Sequence, residues 1–515
     1  MARTKKSEDK PATTTQQLAS IIKTSRDIMR KDKGLNGDLD RLPMLTWIMF
    51  LKFLDDMEKL GEQEATLSRT RFRPVIEAPY RWRDWAAKPD GVTGDELVAF
   101  INNDESVRPD GTRGPGLFAY LRSLRGENGA DRRDVVANVF RGTVNRMQNG
   151  YLLRDVVNKT DGIHFTSSEE IHTLGFLYES MLKEMRDAAG DSGEFYTPRP
   201  VVKFIVAVTN PRLGETVLDP ACGTGGFLVE SYLHLEKQCK SVEDRKLLQT
   251  SSIIGGEAKS LPYLLAEMNL LLHGMESPKI GLGNSLDTPL RDIGDKDRVD
   301  IILTNPPFGG EEEKGVQGNF PADMRTSETA LLFLQLIMRR LKRKEGNKNG
   351  GRCAVIVPNG VLFGDGVAAR IKEQLLGEYD LHTIVRLPNG VFAPYTGIPT
   401  NLLFFERDGP TKEVWFYELP LPEGKKNYTK TRPIQFEEFA QCMKWWKNRE
   451  ENEHAWKVPA EEILAHNCNL DRKNPHGRAD LEHIPPEQLV ESILEKEKRI
   501  AELMIELKDM LKEKP

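Results

Sequence analysis

An apolar run ends in a glycine-rich turn at Val217-Leu218-Asp219-Pro220-Ala221-Cys222-Gly223-Thr224-Gly225-Gly226-Phe227, and an apolar stretch continues from there to Cys239. That order spells strand, tight turn and helix. Glycine at the turn lets the backbone approach a bound molecule, and the helix start offers free N–H groups to its negative charge. The same texture recurs downstream. Short β-branched runs at 216–218, 252–255, 280–283, 300–303, 352–357, 381–387 and 401–406 alternate with helical stretches and glycine-containing turns. Such alternation predicts a doubly wound α/β fold, a mostly parallel sheet with its ligands at the carboxyl ends of the strands. The turn alone names no ligand, because nucleotide, flavin and nicotinamide sites use relatives of it. No Gly-x-x-x-x-Gly-Lys-Ser/Thr sequence is present, which removes the usual P-loop reading. Glu257 follows the second run, in Ile253-Ile254-Gly255-Gly256-Glu257, where a carboxylate can accept both hydroxyls of a ribose. Considered by itself, Glu257 is an ordinary solvated acid.

Asn305-Pro306-Pro307-Phe308 follows the run Val299-Asp300-Ile301-Ile302-Leu303-Thr304. The Asn305 amide oxygen and the Pro306 carbonyl can both accept hydrogen bonds from an exocyclic amino group. The prolines stiffen the turn, and Phe308 supplies a face for stacking. An amino nitrogen with both hydrogens engaged loses conjugation with its ring, and its lone pair can then attack a sulfonium methyl in line. The expected chemistry is methyl transfer to a nucleic-acid base, and the pattern implies neither a metal nor a covalent intermediate. The tetrapeptide alone is also compatible with a proline-stiffened strand exit.

From about 16 to 186 the apolar residues recur at helical spacing, as in Leu45, Ile48, Met49 and Phe53, and again in Ile171, Leu174, Leu177, Met181 and Leu182. A helical amino-terminal domain over 16–190 is expected, its last helix starting at the capping box of Ser167 and Glu170 and the segment ending at Gly190. The run from Met44 to Leu54 is interrupted by Lys52 and too short to span a bilayer, so it predicts a buried helix. Residues 1–15 are rich in Lys, Thr and Ser and predict a disordered arm. Arg81-Trp82-Arg83-Asp84-Trp85 interleaves basic and aromatic side chains. Such a cluster can grip a nucleic acid, although packing a loop onto helices is the commoner use.

The catalytic domain is expected over 191–470. Its last part, 408–470, is mixed and Trp/Lys rich and reads as an appended layer without assigned structure. A tail and contact helix occupy 471–515, where Leu489, Ile493, Ile500, Leu503, Leu507 and Leu511 form a near-heptad seam in a highly charged segment. That seam offers one apolar stripe to one partner, within this chain or in another. The net charge of -5 is a further constraint. A chain that held DNA alone through many phosphates would usually carry a basic surplus, so its positive charge is concentrated on one face or a partner does most of the gripping. The five cysteines have no metal-like spacing and fit a reducing cytoplasm.

Taken in order, Gly193-Glu194-Phe195-Tyr196-Thr197-Pro198-Arg199, the glycine turn, Glu257 and Asn305 to Phe308 resemble the modification (methyltransferase) subunits of type I restriction-modification systems. The likeness covers most of the chain and follows the motif order of the gamma class of amino-methyltransferases. It implies an α/β, Rossmann-like, S-adenosylmethionine-dependent methyltransferase sheet with an amino-terminal helical domain and a carboxy-terminal helix. Glu194, Phe195, Tyr196, Thr197, Pro198 and Arg199 would help close the pocket of S-adenosyl-L-methionine. Asp219, Ala221, Gly223, Thr224, Gly225, Gly226 and Phe227 would wrap its methionine part, and Glu257 would hold its ribose. Asn305, Pro306, Pro307 and Phe308 would act on adenine N6 rather than on cytosine, where a Ser commonly replaces the Asn. Many methyltransferases bind the cofactor adenine through an Asp after the third strand. This chain has Gly283-Asn284-Ser285-Leu286, and Asn284 could still accept through its amide oxygen. The stretches from Val357 to Phe363 and from Gly397 to Asn401 also resemble family elements, which line the target-base pocket or shape loops.

The resemblance implies partners as well. A specificity subunit would read the DNA, a second modification subunit would join this one around the duplex, and a restriction subunit could add to them, in the cytoplasm and without a membrane. No helix-turn-helix, zinc-finger or RNA-recognition pattern occurs, and the basic run Arg339, Arg340, Lys342, Arg343 and Lys344 fits the solvated end of a helix. Two other readings compete. A protein glutamine methyltransferase faces the same chemistry at an amide nitrogen, but such enzymes are compact. A non-catalytic assembly subunit has no chemical reason to retain all these elements.

Overall fold

Nine strands pair into one sheet in the computed structural model, which describes residues 15–69, 71–88, 90–126, 132–163, 197–346, 349–393, 396–429 and 431–476 together with Lys498 and Met504. The strands are β1 (Val217–Asp219), β2 (Ile253–Glu257), β3 (Ile280–Leu282), β4 (Ile301–Thr304), β5 (Arg352–Pro358), β6 (Asp380–Arg386), β7 (Thr400–Glu406), β8 (Glu413–Glu418) and β9 (Ala455–Pro459). Their order across the sheet is β9-β8-β6-β7-β5-β4-β1-β2-β3. The pairs from β3 through to β5 are parallel, as are β6 and β8. β7 is inserted antiparallel between β5 and β6, and β9 runs antiparallel on the edge. The seven expected strands are all present. β1 leads to β2 and β3 on one side, while β4 and β5 continue on the other, so the chain reverses direction between β1 and β4. A crevice opens at the carboxyl ends of those two strands.

Period-two patterning explains why the sheet holds two cores. Ile301, Leu303, Ala354 and Ile356 face one core with Val217, shared with Phe204 and Phe227. Ile302, Cys353, Val355 and Val357 face the other with Leu218, shared with Leu331, Leu334 and Ile371. Both faces of these strands are therefore dry, and near-continuous apolar runs are the result. Each large side chain taken fully out of water contributes roughly 1.5–3 kcal/mol. The Trp/Lys-rich stretch after residue 408 is no separate layer, since it supplies β8 and β9. There the ring of Trp456 stacks on Phe416 with centroids 5.3 Å apart. Mixed exposure along these two strands hides them among Lys and Glu in the sequence.

The amino-terminal part is helical over Thr15–Met29, Asp38–Ser68, Gly94–Asn102, Leu117–Ser123, Arg132–Arg141 and Gly150–Asp161, with a small hairpin pairing 105–107 with 113–115. Met44 to Leu54 lie buried in the second helix, as expected. Even Lys52 is 1% exposed there, its ammonium placed on Asp56 one turn later. The Arg-Trp cluster packs rather than projects. Trp82 and Trp85 are buried, Trp82 donates to Asp161 at 2.7 Å, and Arg83 pairs with both Asp55 and Glu62 at 2.7 Å.

Helix Ser260–Leu272 is apolar all round because both regions use it. Ala266 and Leu270 face the sheet, whereas Leu264, Leu265, Met268 and Leu272 join the amino-terminal core. Among the described residues no helix is long and apolar enough to cross a membrane. The capping box at Ser167, the helix from Ile171 to Leu182, the stop at Gly190, the arm before residue 15 and the leucine seam beyond residue 485 lie outside the described residues.

Candidate active site

Three strand ends and one helix start converge on the crevice. β1 delivers Asp219, which is 1% exposed and accepts a 3.1 Å hydrogen bond from the Ala221 amide. Burial pushes its carboxyl up to about 7. The chain then turns through Gly223 at φ +53° and Gly225 at φ +80°, left-handed conformations that side chains resist. Helix Gly226–Glu236 starts directly after them.

β2 delivers Glu257. Its carboxylate accepts from the Gly223 amide at 2.9 Å and from the Lys259 amide at 2.8 Å, so it ties the glycine turn to the entrance of the next helix. Burial raises its pKa above the ordinary carboxylate range, with these amides working in opposition. A cleft of about 240 Å³ opens beside it, lined among others by Gly223, Glu257, Asn284, Asn305 and Pro307.

β4 delivers Asn305. Its amide nitrogen donates to the Thr197 hydroxyl at 3.0 Å, while its buried Oδ1 finds no hydrogen-bond partner among the described residues. A buried amide oxygen without a donor costs about 1–3 kcal/mol unless something supplies one. Phe308 lies two residues beyond Pro306, and its ring meets the buried Phe392 edge-on at 5.5 Å and 71°. Thr197, Arg199, Asp219, Thr224 and Phe227 line a smaller cavity that also touches Asn305. Pro198 caps helix Arg199–Thr209, and the Arg199 guanidinium donates to the Gly226 carbonyl at 2.8 Å. Burial lowers the pKa of that guanidinium to about 10.

The structure thus gathers Thr197, Arg199, Asp219, Ala221, Gly223, Thr224, Gly226, Phe227, Glu257, Asn284, Asn305 and Pro307 around one crevice, while Pro198, Gly225, Pro306 and Phe308 belong to the turns and helix start beside it. Glu194, Phe195 and Tyr196 lie outside the described residues. Asn284 is already engaged: its amide oxygen accepts from Leu286 N at 3.0 Å and its nitrogen faces Glu312 at 3.4 Å. Asn359 and Asn401 meet side chain to side chain at 3.1 Å where β5 and β7 pair, which joins the two stretches noted at 357–363 and 397–401. Two neighbours escaped the sequence reading. Glu312, which lines the cleft and takes the Thr329 hydroxyl at 3.2 Å, sits in an acidic triplet that looks like solvated charge. Phe392 is an apolar loop residue whose only visible signal is packing.

The raised carboxyl of Asp219 has a pH signature. Its folded value lies above its ordinary value of 3.8, so the folded chain keeps a proton that the unfolded chain has released. Its contribution to stability is full below pH 3.8 and is lost as pH rises through about 7. In Asp219→Asn, the melting temperature of the ligand-free protein is expected to fall less across that window than in the parent. Parallel profiles from calorimetry at several pH values would contradict the assignment.

Residues 169–483 match the N-6 DNA Methylase family, and residues 18–159 match the HsdM N-terminal domain. Over 504 residues the chain is 47% identical to the type I restriction enzyme EcoEI methylase subunit of Escherichia coli, covering 96% of this chain and 97% of that one. A crystal structure of a modification subunit from Vibrio vulnificus YJ016 is 69% identical with a TM-score of 0.86, over 92% of this chain and all of that one. A chain from a study of assembly and conformational transition in the type I restriction-modification system is 39% identical with a TM-score of 0.76, over 98% and 100% of the two chains.

Proposed function

The chain belongs to the N-6 DNA Methylase family, among the type I restriction-modification methylase subunits, and from that premise we propose that its crevice transfers a methyl group from S-adenosyl-L-methionine to N6 of a flipped adenine held at Asn305. The unpartnered, buried Oδ1 of Asn305 carries this reading. An exocyclic amino group is the donor such an oxygen lacks, and the Pro306 carbonyl is the second acceptor in the same turn.

The crevice suits the cofactor. Its glycines allow close backbone approach, the start of helix Gly226–Glu236 favours a carboxylate, and Glu257 is a buried acid able to take ribose hydroxyls. Asp219 to Phe227 and Glu257 would hold it, with Thr197 to Arg199 alongside and Asn284 near its adenine. When bound it supplies an electrophilic sulfonium methyl. The protein's own part is orientation. Asn305 and Pro306 engage the N6 hydrogens and direct the lone pair, their carbonyl dipoles stabilise positive charge developing on N6, and Phe308 stacks on the base.

Sequence choice falls to other chains in this reading. A net charge of -5 fits a subunit that relies on a specificity subunit, a second modification subunit and a restriction subunit to hold DNA. Co-expression with a specificity subunit of such a system, followed by single-molecule sequencing, should reveal N6-methyladenine at one recognition sequence. Unmodified DNA accompanied by a methylated protein glutamine would favour the rival enzyme class.

A further inference from the structure

Thr197 was expected only to help close a cofactor pocket, yet its hydroxyl is the atom that meets the Asn305 amide, at 3.0 Å. An asparagine amide can turn half a revolution about its last bond and exchange acceptor for donor with little change of shape. Only the oxygen-forward orientation can receive an adenine amino group. The nitrogen-forward orientation would set N–H against N–H. In the structure the nitrogen is turned to Thr197 and the buried oxygen is left over. Thr197 lies two residues before Arg199, whose guanidinium is tied to the Gly226 carbonyl at 2.8 Å across the same cavity.

We propose that Thr197 is a positioning residue that fixes the Asn305 amide with its oxygen toward the target base, and so sets the preference for a 6-amino over a 6-oxo purine. The proposal rests on the reading of Asn305 as the adenine acceptor. Thr197 acts through Asn305, and the link from Gly226 through Arg199 and Thr197 joins the glycine turn to the base-holding turn. A 6-oxo purine such as hypoxanthine presents an acceptor at that position and would suit the flipped amide instead.

The test uses the methylase assembled with its specificity subunit and compares Thr197→Val, which is isosteric but cannot accept, with Thr197→Ser, which can. In Thr197→Val the single-turnover methylation rate at saturating cofactor should fall about 10- to 30-fold, as for a small misplacement of a reacting group, whatever change in cofactor Kd accompanies it. The affinity ratio between DNA carrying adenine and DNA carrying hypoxanthine at the target should shrink severalfold. Thr197→Ser should restore both. An unchanged rate and ratio in Thr197→Val would overturn the proposal, as would a rate loss that saturating cofactor abolishes. Asn305→Ala, run in parallel, separates the two levels. If it methylates normally, the reading of Asn305 fails. If it is inactive while Thr197→Val behaves like the parent, only the role of Thr197 fails.

Discussion

Asn305→Ala is expected to lower the methylation rate by at least about 10²- to 10³-fold, the usual effect of removing one preorganised group aimed at developing charge. The substitution deletes the acceptor that would hold N6, and with it the side-chain contact to Thr197. Asn284 cannot stand in for it, because its amide oxygen already accepts from Leu286 N. Cofactor affinity should change by less than about threefold, because the glycine turn and Glu257 hold each other without Asn305. Incorporation of labelled methyl groups under single-turnover conditions, set beside calorimetric titration of the cofactor, distinguishes the two. Near-normal methylation would remove Asn305 from the chemistry.

Glu257→Ala should act on the other side of the reaction. A buried carboxylate accepting ribose hydroxyls makes charge-assisted hydrogen bonds of about 1.5–3 kcal/mol each. Losing two of them predicts a cofactor Kd raised about 10²- to 10⁴-fold. A second effect adds in the same direction, since the Gly223 and Lys259 amides lose their acceptor and the glycine turn is released. The rate at saturating cofactor should suffer far less than in Asn305→Ala. Unaltered affinity in calorimetry would show that Glu257 is only a brace for the turn.

Several parts of this arrangement were legible from the residues alone because they depend on local order. Runs such as Ile301-Ile302-Leu303 are apolar on both faces and can be little else than buried strands, and Gly223 and Gly225 occupy left-handed backbone where glycine is the natural choice. β8 and β9 were not legible. Each is exposed on part of its length, so Lys457, Glu413 and Glu418 break up the apolar pattern, and only pairing with β6 and with each other defines them as strands. Arg81 to Trp85 shows the opposite failing of local pattern. Its composition suits a nucleic acid, but Asp55, Glu62 and Asp161, far away in sequence, claim its polar atoms.

The sequence by itself determined the class of fold, the order of the motifs and the kind of atom that Asn305 can hold, because strand patterning, turn chemistry and hydrogen-bonding capacity belong to residues and their nearest neighbours. Only the tertiary structure decided that β1 and β4 lie side by side at the point where the chain reverses its direction across the sheet. That adjacency brings Thr197 to Asn305 across 108 residues of chain and leaves one amide oxygen buried and unpaired. Orientation of a group with two nearly equivalent ends is set by whatever packs against it, and no spacing along the chain records that.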